Sequence, residues 1–186
     1  SPRKTTPPET RKIGLIFQDF ALFPHLTAAQ NIMFGLAHLP PAERQAHAAE
    51  WLARMDLSTR AKAYPHELSG GEQQRIAIAR ALAPSPSAIL MDEPFSGLDP
   101  SLRATVRNTA LDTIREAGVP ALLVTHDADE ALSGADNIAI IDEGKILQQG
   151  PAQDVYLHPV SAKAMAALSP IICLPAAKLS ADFLNG

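Results

Sequence analysis

The sequence predicts an α/β fold, a mostly parallel sheet core with an inserted helical segment. Three observations carry this. Short apolar runs of strand length stand at Ile13–Phe17, Ala88–Met91 and Ala121–Thr125. Between the second and third runs lies a helix-patterned stretch, and the order strand, helix, strand implies a parallel pair with a right-handed crossover. Between the first and second runs the periodicity is helical, so helices interrupt the sheet.

The elements follow in order. Ile13–Phe17 reads as a buried strand and Phe20–Pro24 as a loop. Thr27 and Gln30 have capping-box spacing, opening a helix that reaches about Ala37. Pro40-Pro41 breaks it. A second helix, Ala42–Met55, carries Trp51, Leu52 and Met55 on one side and Glu, Arg and Gln on the other, as a half-buried helix does. Leu57–Leu68 is irregular. Ser69 and Glu72 repeat the capping-box spacing and open a helix with Ile76, Ala79 and Ala83 on one face. Ala88–Met91 is a buried strand ending in Asp92-Glu93-Pro94. Asp99-Pro100 reads as an N-cap with proline at the first helical position; Leu102, Val106, Ala110 and Ile114 mark the helix, and Gly118 closes it. Ala121–Thr125 is a third buried strand. A short helix near Ala128–Leu132 precedes a strand at Asn137–Ile141, which Glu143-Gly144 turns back into Lys145–Gln149 as a hairpin. Beyond Pro151 the chain reads as helix and loop.

Composition excludes several function classes. Hydrophobic residues at 46% against 19% charged place the chain among globular proteins rather than disordered ones. No apolar run is long enough for a membrane span, so any membrane role comes through a partner. The basic, Pro-rich start, Ser1–Lys12, has no apolar core and is no secretory signal. A single cysteine, Cys173, permits no intrachain disulfide and fits a reducing compartment. A net charge of -4 with scattered Arg and Lys gives no case for nucleic acid. The histidines (25, 38, 47, 66, 126 and 158) are too dispersed for a metal cluster.

Two patterns carry chemistry. Asp92-Glu93 closes an apolar strand, where one carboxylate can hold Mg²⁺ and a second can orient or deprotonate an attacking water. A solvated acidic turn would look the same. Leu68-Ser69-Gly70-Gly71-Glu72-Gln73-Gln74-Arg75 is more specific. Two glycines let a phosphate approach the backbone, and the free N–H groups of a helix start bind anions. A plain capped helix would explain Ser69 and Glu72 but not the Gly-Gly pair, which costs helix stability. Parallel strands end on one edge, so Asp92 and Glu93 are expected on the same side as His126. That carboxyl edge is where open α/β sheets bind ligands.

LSGGEQQR, then ILMDEPFSGLD, then VTHD resemble the signature motif, the Walker B segment with D-loop, and the switch histidine of ABC-transporter ATPases. Upstream, IGLIFQDFALFPHLT is similar to the Q-loop region of that family. The resemblance covers roughly Pro7–Pro159. It implies a P-loop NTPase-like core divided into a helical subdomain at about 19–68, a catalytic core at 69–150 and a C-terminal extension at 151–186. It implies ATP and Mg²⁺ as ligands. Gln18 would contact Mg²⁺ or the attacking water, Asp92 would hold Mg²⁺, and Glu93 would be the catalytic base. His126 would sense the γ-phosphate. Ser69, Gly70 and Gly71, with Glu72 beside them, would meet the γ-phosphate held by a second subunit. Asp99 would sit at the dimer interface. The implied partners are a second ATPase subunit, transmembrane permease subunits and, indirectly, a solute-binding protein; the implied place is the cytoplasmic face of the plasma membrane. FQDFALFPHLT looks most like importers of ferric iron, polyamines, thiamine or sulfate, with iron slightly favoured.

One departure stands out. The chain contains no G-x-x-x-x-G-K-S/T loop and no upstream aromatic to stack on adenine. Every later motif is intact, so truncation rather than degeneration is expected. Trp51, Met33 and Met55 read as packing residues, and His25 as a loop residue near the membrane-subunit contact. A Ser-His-Asp hydrolase is disfavoured by the lack of G-x-S-x-G.

Overall fold

A computed structural model describes Pro7 and residues 10–168; Cys173 and the rest of 169–186 lie outside the described residues. The chain forms two compact units, divided between Thr125 and His126.

In the first unit, β1 (Ile13–Ile16), β2 (Ala88–Asp92) and β3 (Ala121–Val124) form a parallel sheet in the order β1-β2-β3. Ile16 stands beside Met91, and Asp92 beside Val124. All three strands were expected to be buried, and here the structure differs. Ile16, Ile89 and Met91 are at most 2% exposed, whereas Leu15, Leu122 and Val124 are 48%, 59% and 52% exposed. Strand side chains alternate between faces. The face covered by helices is buried, and the opposite face of the described sheet is not.

Among the described residues, four α-helices and two short 3₁₀ turns complete this unit. Helix α1 (Ala28–Phe34) starts with the expected capping box, Thr27 Oγ1 accepting from the Gln30 amide and Gln30 Oε1 from the Thr27 amide. It ends at Gly35, earlier than the expected Ala37. A Cβ at Gly35 would lie 2.7 Å from the Pro84 ring, so the chain passes another segment closely there. Helix α2 (Pro41–Arg54) starts one residue before the expected Ala42, since proline is suited to the first helical position. Leu52 and Met55 are buried and Trp51 and Met33 pack against the same core, as their spacing indicated. The irregular stretch contains two short 3₁₀ turns, Ser58–Arg60 and Pro65–Glu67. Helix α3 (Gly70–Leu82) is buried on nearly all sides: Ile76, Ala77, Ile78 and Ala79 are at most 1% exposed. Burying an Ile side chain contributes about 1.5–3 kcal/mol, so α3 is the central support of the unit. Helix α4 (Pro100–Glu116) opens at Asp99 and is followed by Gly118 at φ +65°, which only glycine adopts readily.

The second unit contains α5 (Ala128–Gly134), the strands β4 (Asn137–Asp142) and β5 (Lys145–Pro151), α6 (Ala152–Leu157) and α7 (Ala162–Leu168). The two strands pair antiparallel about Glu143-Gly144, as the turn residues required, with a bulge between Ile140 and Ile141. Ile138, Ile140, Val155, Ala164 and Leu168 make its core.

Two polar contacts brace the first unit. Asn31 is fully buried. Its Oδ1 accepts from the Phe23 amide at 2.9 Å, and its Nδ2 faces the carbonyls of Phe23, Leu26 and Thr27 at 3.0–3.2 Å. Glu72 accepts from the Ser69 amide at 2.7 Å and from Arg60 Nε at 3.0 Å. The Ser69 amide bond, with smaller help from Arg60, holds the Glu72 carboxyl below its usual range despite partial desolvation.

Asn31→Ala leaves several buried backbone groups without partners and should destabilise the unit by about 3 kcal/mol. Urea unfolding followed by the fluorescence of Trp51, the sole tryptophan, measures it. Glu72 gives a pH-dependent outcome. Its folded-state pKa is depressed, so its contribution is complete above the unfolded value near 4.5 and disappears as pH falls through the folded value. Glu72→Gln should therefore cost about 0.5 kcal/mol at pH 7, the pair with Arg60 being partly solvated. The gap to the parent should close as pH falls below the depressed folded value. A gap independent of pH would mean that the charge contributes nothing.

Candidate functional site

The parallel pairing of β1 with β2 brings Phe17-Gln18-Asp19 and Asp92 to one sheet edge. There they line an open cleft of about 520 Å³, together with Gly97. A Cβ at Gly97 would lie 3.8 Å from the Gln18 carbonyl oxygen, an ordinary contact that places the two segments side by side. Thus Gln18, Asp92 and Gly97, dispersed in sequence, meet in one place. Their donor set suits Mg²⁺: a carboxylate from Asp92 and an amide oxygen from Gln18 are hard oxygen ligands on one wall of the cleft.

Glu93 follows Asp92 with φ +43°. A left-handed conformation at a non-glycine residue costs about 1–3 kcal/mol and persists only where its surroundings hold it. They do so here. The Glu93 amide donates to the Val124 carbonyl at 2.9 Å, and the Glu93 carbonyl accepts from the Ser96 amide at 3.3 Å and from Ser96 Oγ at 2.9 Å. Ser96 is therefore a support of Glu93 that its place in the motif did not reveal. Asp99 is exposed and caps α4, accepting from the Ser101 amide at 2.9 Å and from Ser101 Oγ. The Ser101 hydroxyl, then its amide, hold the Asp99 carboxyl below the usual range.

The signature opens α3. Ser69 Oγ accepts from the Glu72 amide at 3.3 Å, completing the capping box. Gly70 is exposed and Gly71 buried. A Cβ at Gly71 would come within 3.2 Å of Val106 Cγ2. A plain capped helix left the Gly-Gly pair unexplained; at position 71 close packing of α3 on α4 asks for a small residue. Gly70 meets nothing closer than Leu98 at 3.4 Å, an ordinary contact.

Three residues important to the site carried no sequence signal. Arg60 pairs with Glu72. Gln74 is fully buried, donating to the Pro94 carbonyl at 2.8 Å and so tying α3 to the turn after Glu93; its Oε1 has no partner among the described residues. Arg80 reaches the carbonyls of Phe20 and Ala21 just past Gln18.

His126 begins the second unit, exposed, beside Asp127, whose carboxylate caps α5 through the amides of Asp129 and Glu130. A hollow of about 540 Å³ in that unit is lined largely by apolar side chains such as Leu132, Ala135 and Tyr156, with Asp136 its one carboxylate. It holds no catalytic set. His25 is exposed, edge-on to Phe23 at 6.1 Å between ring centres. Among the described residues, no helix is long and apolar enough to cross a membrane.

Comparison with known proteins agrees with this α/β fold. The chain is 48% identical to a ferric-ion import ATP-binding protein of Pseudomonas fluorescens over 171 residues, which cover 91% of the chain and 48% of that protein. It is 46% identical to a sulfate/thiosulfate import ATP-binding protein of Neisseria meningitidis, over 82% of the chain and 44% of that protein. It is 45% identical to a spermidine/putrescine import ATP-binding protein of Roseobacter denitrificans, over 83% of the chain and 43% of that protein. The chain spans about half the length of the curated relatives it matches. Its structure resembles CbiO1 of Clostridium perfringens, part of an ABC transporter complex, with a TM-score of 0.72 and 30% identity over 80% of the chain and 60% of that protein. It also resembles the ATP-binding cassette MJ0796, a dimer with bound ADP and Pi, at a TM-score of 0.65 and 34% identity over 77% of the chain and 65% of that protein. The model of the ABC transporter family matches residues 2–96, half of the chain, so this α/β chain belongs to the ABC transporter family.

Proposed function

We propose that this chain is the main part of an ATP-binding and ATP-hydrolysing subunit that energises solute import. The observation that carries the reading is the cleft at the carboxyl edge of β1 and β2, where Gln18, Asp92 and Gly97 meet beside the left-handed Glu93. Asp92 and Gln18 would hold Mg²⁺, which when bound neutralises charge on the transferring phosphoryl group. Glu93 is the general base for the attacking water, and its backbone is braced for that position by Val124 and Ser96. His126 is assigned the γ-phosphate contact on the strength of VTHD alone.

The signature acts on a second copy's nucleotide. Ser69 and Gly70 are exposed at the positive end of α3; the Ser69 amide is taken by Glu72, and the first-turn N–H groups of Gly70 and Gly71, which have no intrahelical acceptor, are the donors offered to an anion. Asp99 lies at the interface between the copies. Within the subunit, about residues 19–68 form the helical subdomain facing the permease, 69–150 the catalytic core and 151–186 an extension. The assembly sits on the cytoplasmic face of the membrane, held by permease subunits and served by a solute-binding protein. Ferric iron is the proposed solute, following the 48% identical relative.

Two outcomes test this in a chain carrying a G-x-x-x-x-G-K-S/T segment ahead of Ser1. Glu93→Gln keeps size and hydrogen bonding but cannot take the proton. Nucleotide binding should persist while turnover falls about 10²–10⁴-fold; near-normal turnover would move the base elsewhere. The second outcome concerns the signature. Gly70→Asp is the suitable change, because its site is open whereas Gly71 packs on Val106. In mixed dimers of Gly70→Asp with Glu93→Gln, one composite site keeps a normal base and faces a normal signature. Mixed dimers should then exceed both mutant homodimers in activity, with an ATP-dependent crosslink between cysteines placed near Ser69 and in the partner's phosphate loop. No crosslink with ATP present would rule out action across the interface.

A further inference from the structure

We propose that Arg80 is a positioning residue for Gln18, holding the loop after it in a left-handed conformation that the backbone does not prefer. This rests on the reading of Gln18 as a ligand of the reacting centre.

The loop is unusual in a specific way. Phe17–Phe20 is a turn closed by the Phe20 amide donating to the Phe17 carbonyl at 2.9 Å, with Gln18 and Asp19 at its tip. The next backbone positions, Phe20 and Ala21, have φ +60° and +43°. Neither is glycine, and neither side chain can bond its own backbone as Asn or Asp would. Two successive residues of one helical sense send their carbonyls the same way. Both carbonyls are taken by one guanidinium: Arg80 Nη2 to Phe20 O at 2.9 Å and Nη1 to Ala21 O at 2.6 Å. An extended residue at either position would turn one carbonyl away from the fork. The planar guanidinium therefore selects the left-handed pair, which a lysine with a single ammonium does less well. The guanidinium is itself fixed, lying 5.4 Å from the Phe23 ring centre, and Phe23 is held in turn by Asn31.

Gln18 is thus constrained from both sides. Strand β1 fixes the chain entering it, and Arg80 the chain leaving it. The same helix bears the signature at its start and Gln74, bonded to the Pro94 carbonyl, between the two. One rigid element therefore touches the segment after Gln18 and the segment after Glu93, and any shift of the signature end moves both supports.

The test has two readouts. In the 186-residue chain, amide hydrogen exchange at Phe20 and Phe23 should speed up about tenfold in Arg80→Met, the loss of roughly one net hydrogen bond. β2 amides should be unchanged, and Arg80→Lys should fall between. Ala21→Gly removes the left-handed penalty and should restore slow exchange in Arg80→Met. Asp56→Gly relieves a similar backbone position at φ +56° away from this loop and should not. The second readout is turnover in the chain preceded by a phosphate-binding segment. There Arg80→Met should lower kcat about tenfold with little change in nucleotide affinity, and Ala21→Gly should recover part of it. Equal rescue by Asp56→Gly, or unaltered exchange in Arg80→Met, would overturn the proposal by reducing Arg80 to a general stabiliser. Gln18→Ala is measured alongside: unchanged turnover there would remove the role of Gln18, while the exchange data would still decide whether Arg80 holds the loop.

Discussion

Parallel pairing of β1 with β2 determines which chain segments can share a cleft. Hydrogen bonds between parallel strands leave both carboxyl ends on one edge. Register then sets how far each strand reaches. With Ile16 beside Met91, Gln18 and Asp92 emerge within one another's neighbourhood. A slip of β1 by one residue would exchange its buried and exposed faces, sending Leu15 inward in place of Ile16. The apolar seam of Ile16, Ile89 and Met91 therefore fixes the site as well as the stability.

Helix α3 is the second constraint. It is buried on nearly every side, yet its buried residues include a glutamine, and a partly buried arginine lies near its end. Each bonds a backbone carbonyl in a loop that bears a site residue. Desolvation alone lowers the Arg80 pKa, but arginine starts so high that the group stays cationic.

Most elements and the motif residues were legible in the sequence because their signals are local. Capping boxes at Thr27 and Ser69, the N-cap at Asp99, the left-handed Gly118 and the Glu143-Gly144 hairpin each depend on residues a few positions apart. Strand exposure was not legible. A run such as IGLIF looks buried on both faces, and only the layer arrangement shows that Leu15 is not. The supports of the site were illegible for the same reason: Arg80 reaches Phe20, and Gln74 reaches Pro94, across large sequence separations. The left-handed backbone at Glu93 has no signature in its residue type, since glutamate rarely adopts it.

The carboxylate inside the signature raises an electrostatic question that the geometry answers. In the proposed reading α3 receives a phosphate, and an acidic residue three positions into that helix would repel it if its charge faced outward. Glu72 instead turns back, accepting from the Ser69 amide and from Arg60 Nε. Its charge is offset by the guanidinium at 3.0 Å. What remains at the exposed tip is the partial positive charge of the first-turn N–H groups, those of Gly70 and Gly71 having no intrahelical acceptor. The capping box thus does two things at once. It closes α3, and it withdraws the one negative charge that would compete with an arriving anion. Asp99 follows a similar logic at the start of α4, where Ser101 occupies its carboxylate. In both motifs the acid works on the protein's own backbone, which in the proposed reading leaves the approach of a phosphate at α3 to main-chain donors.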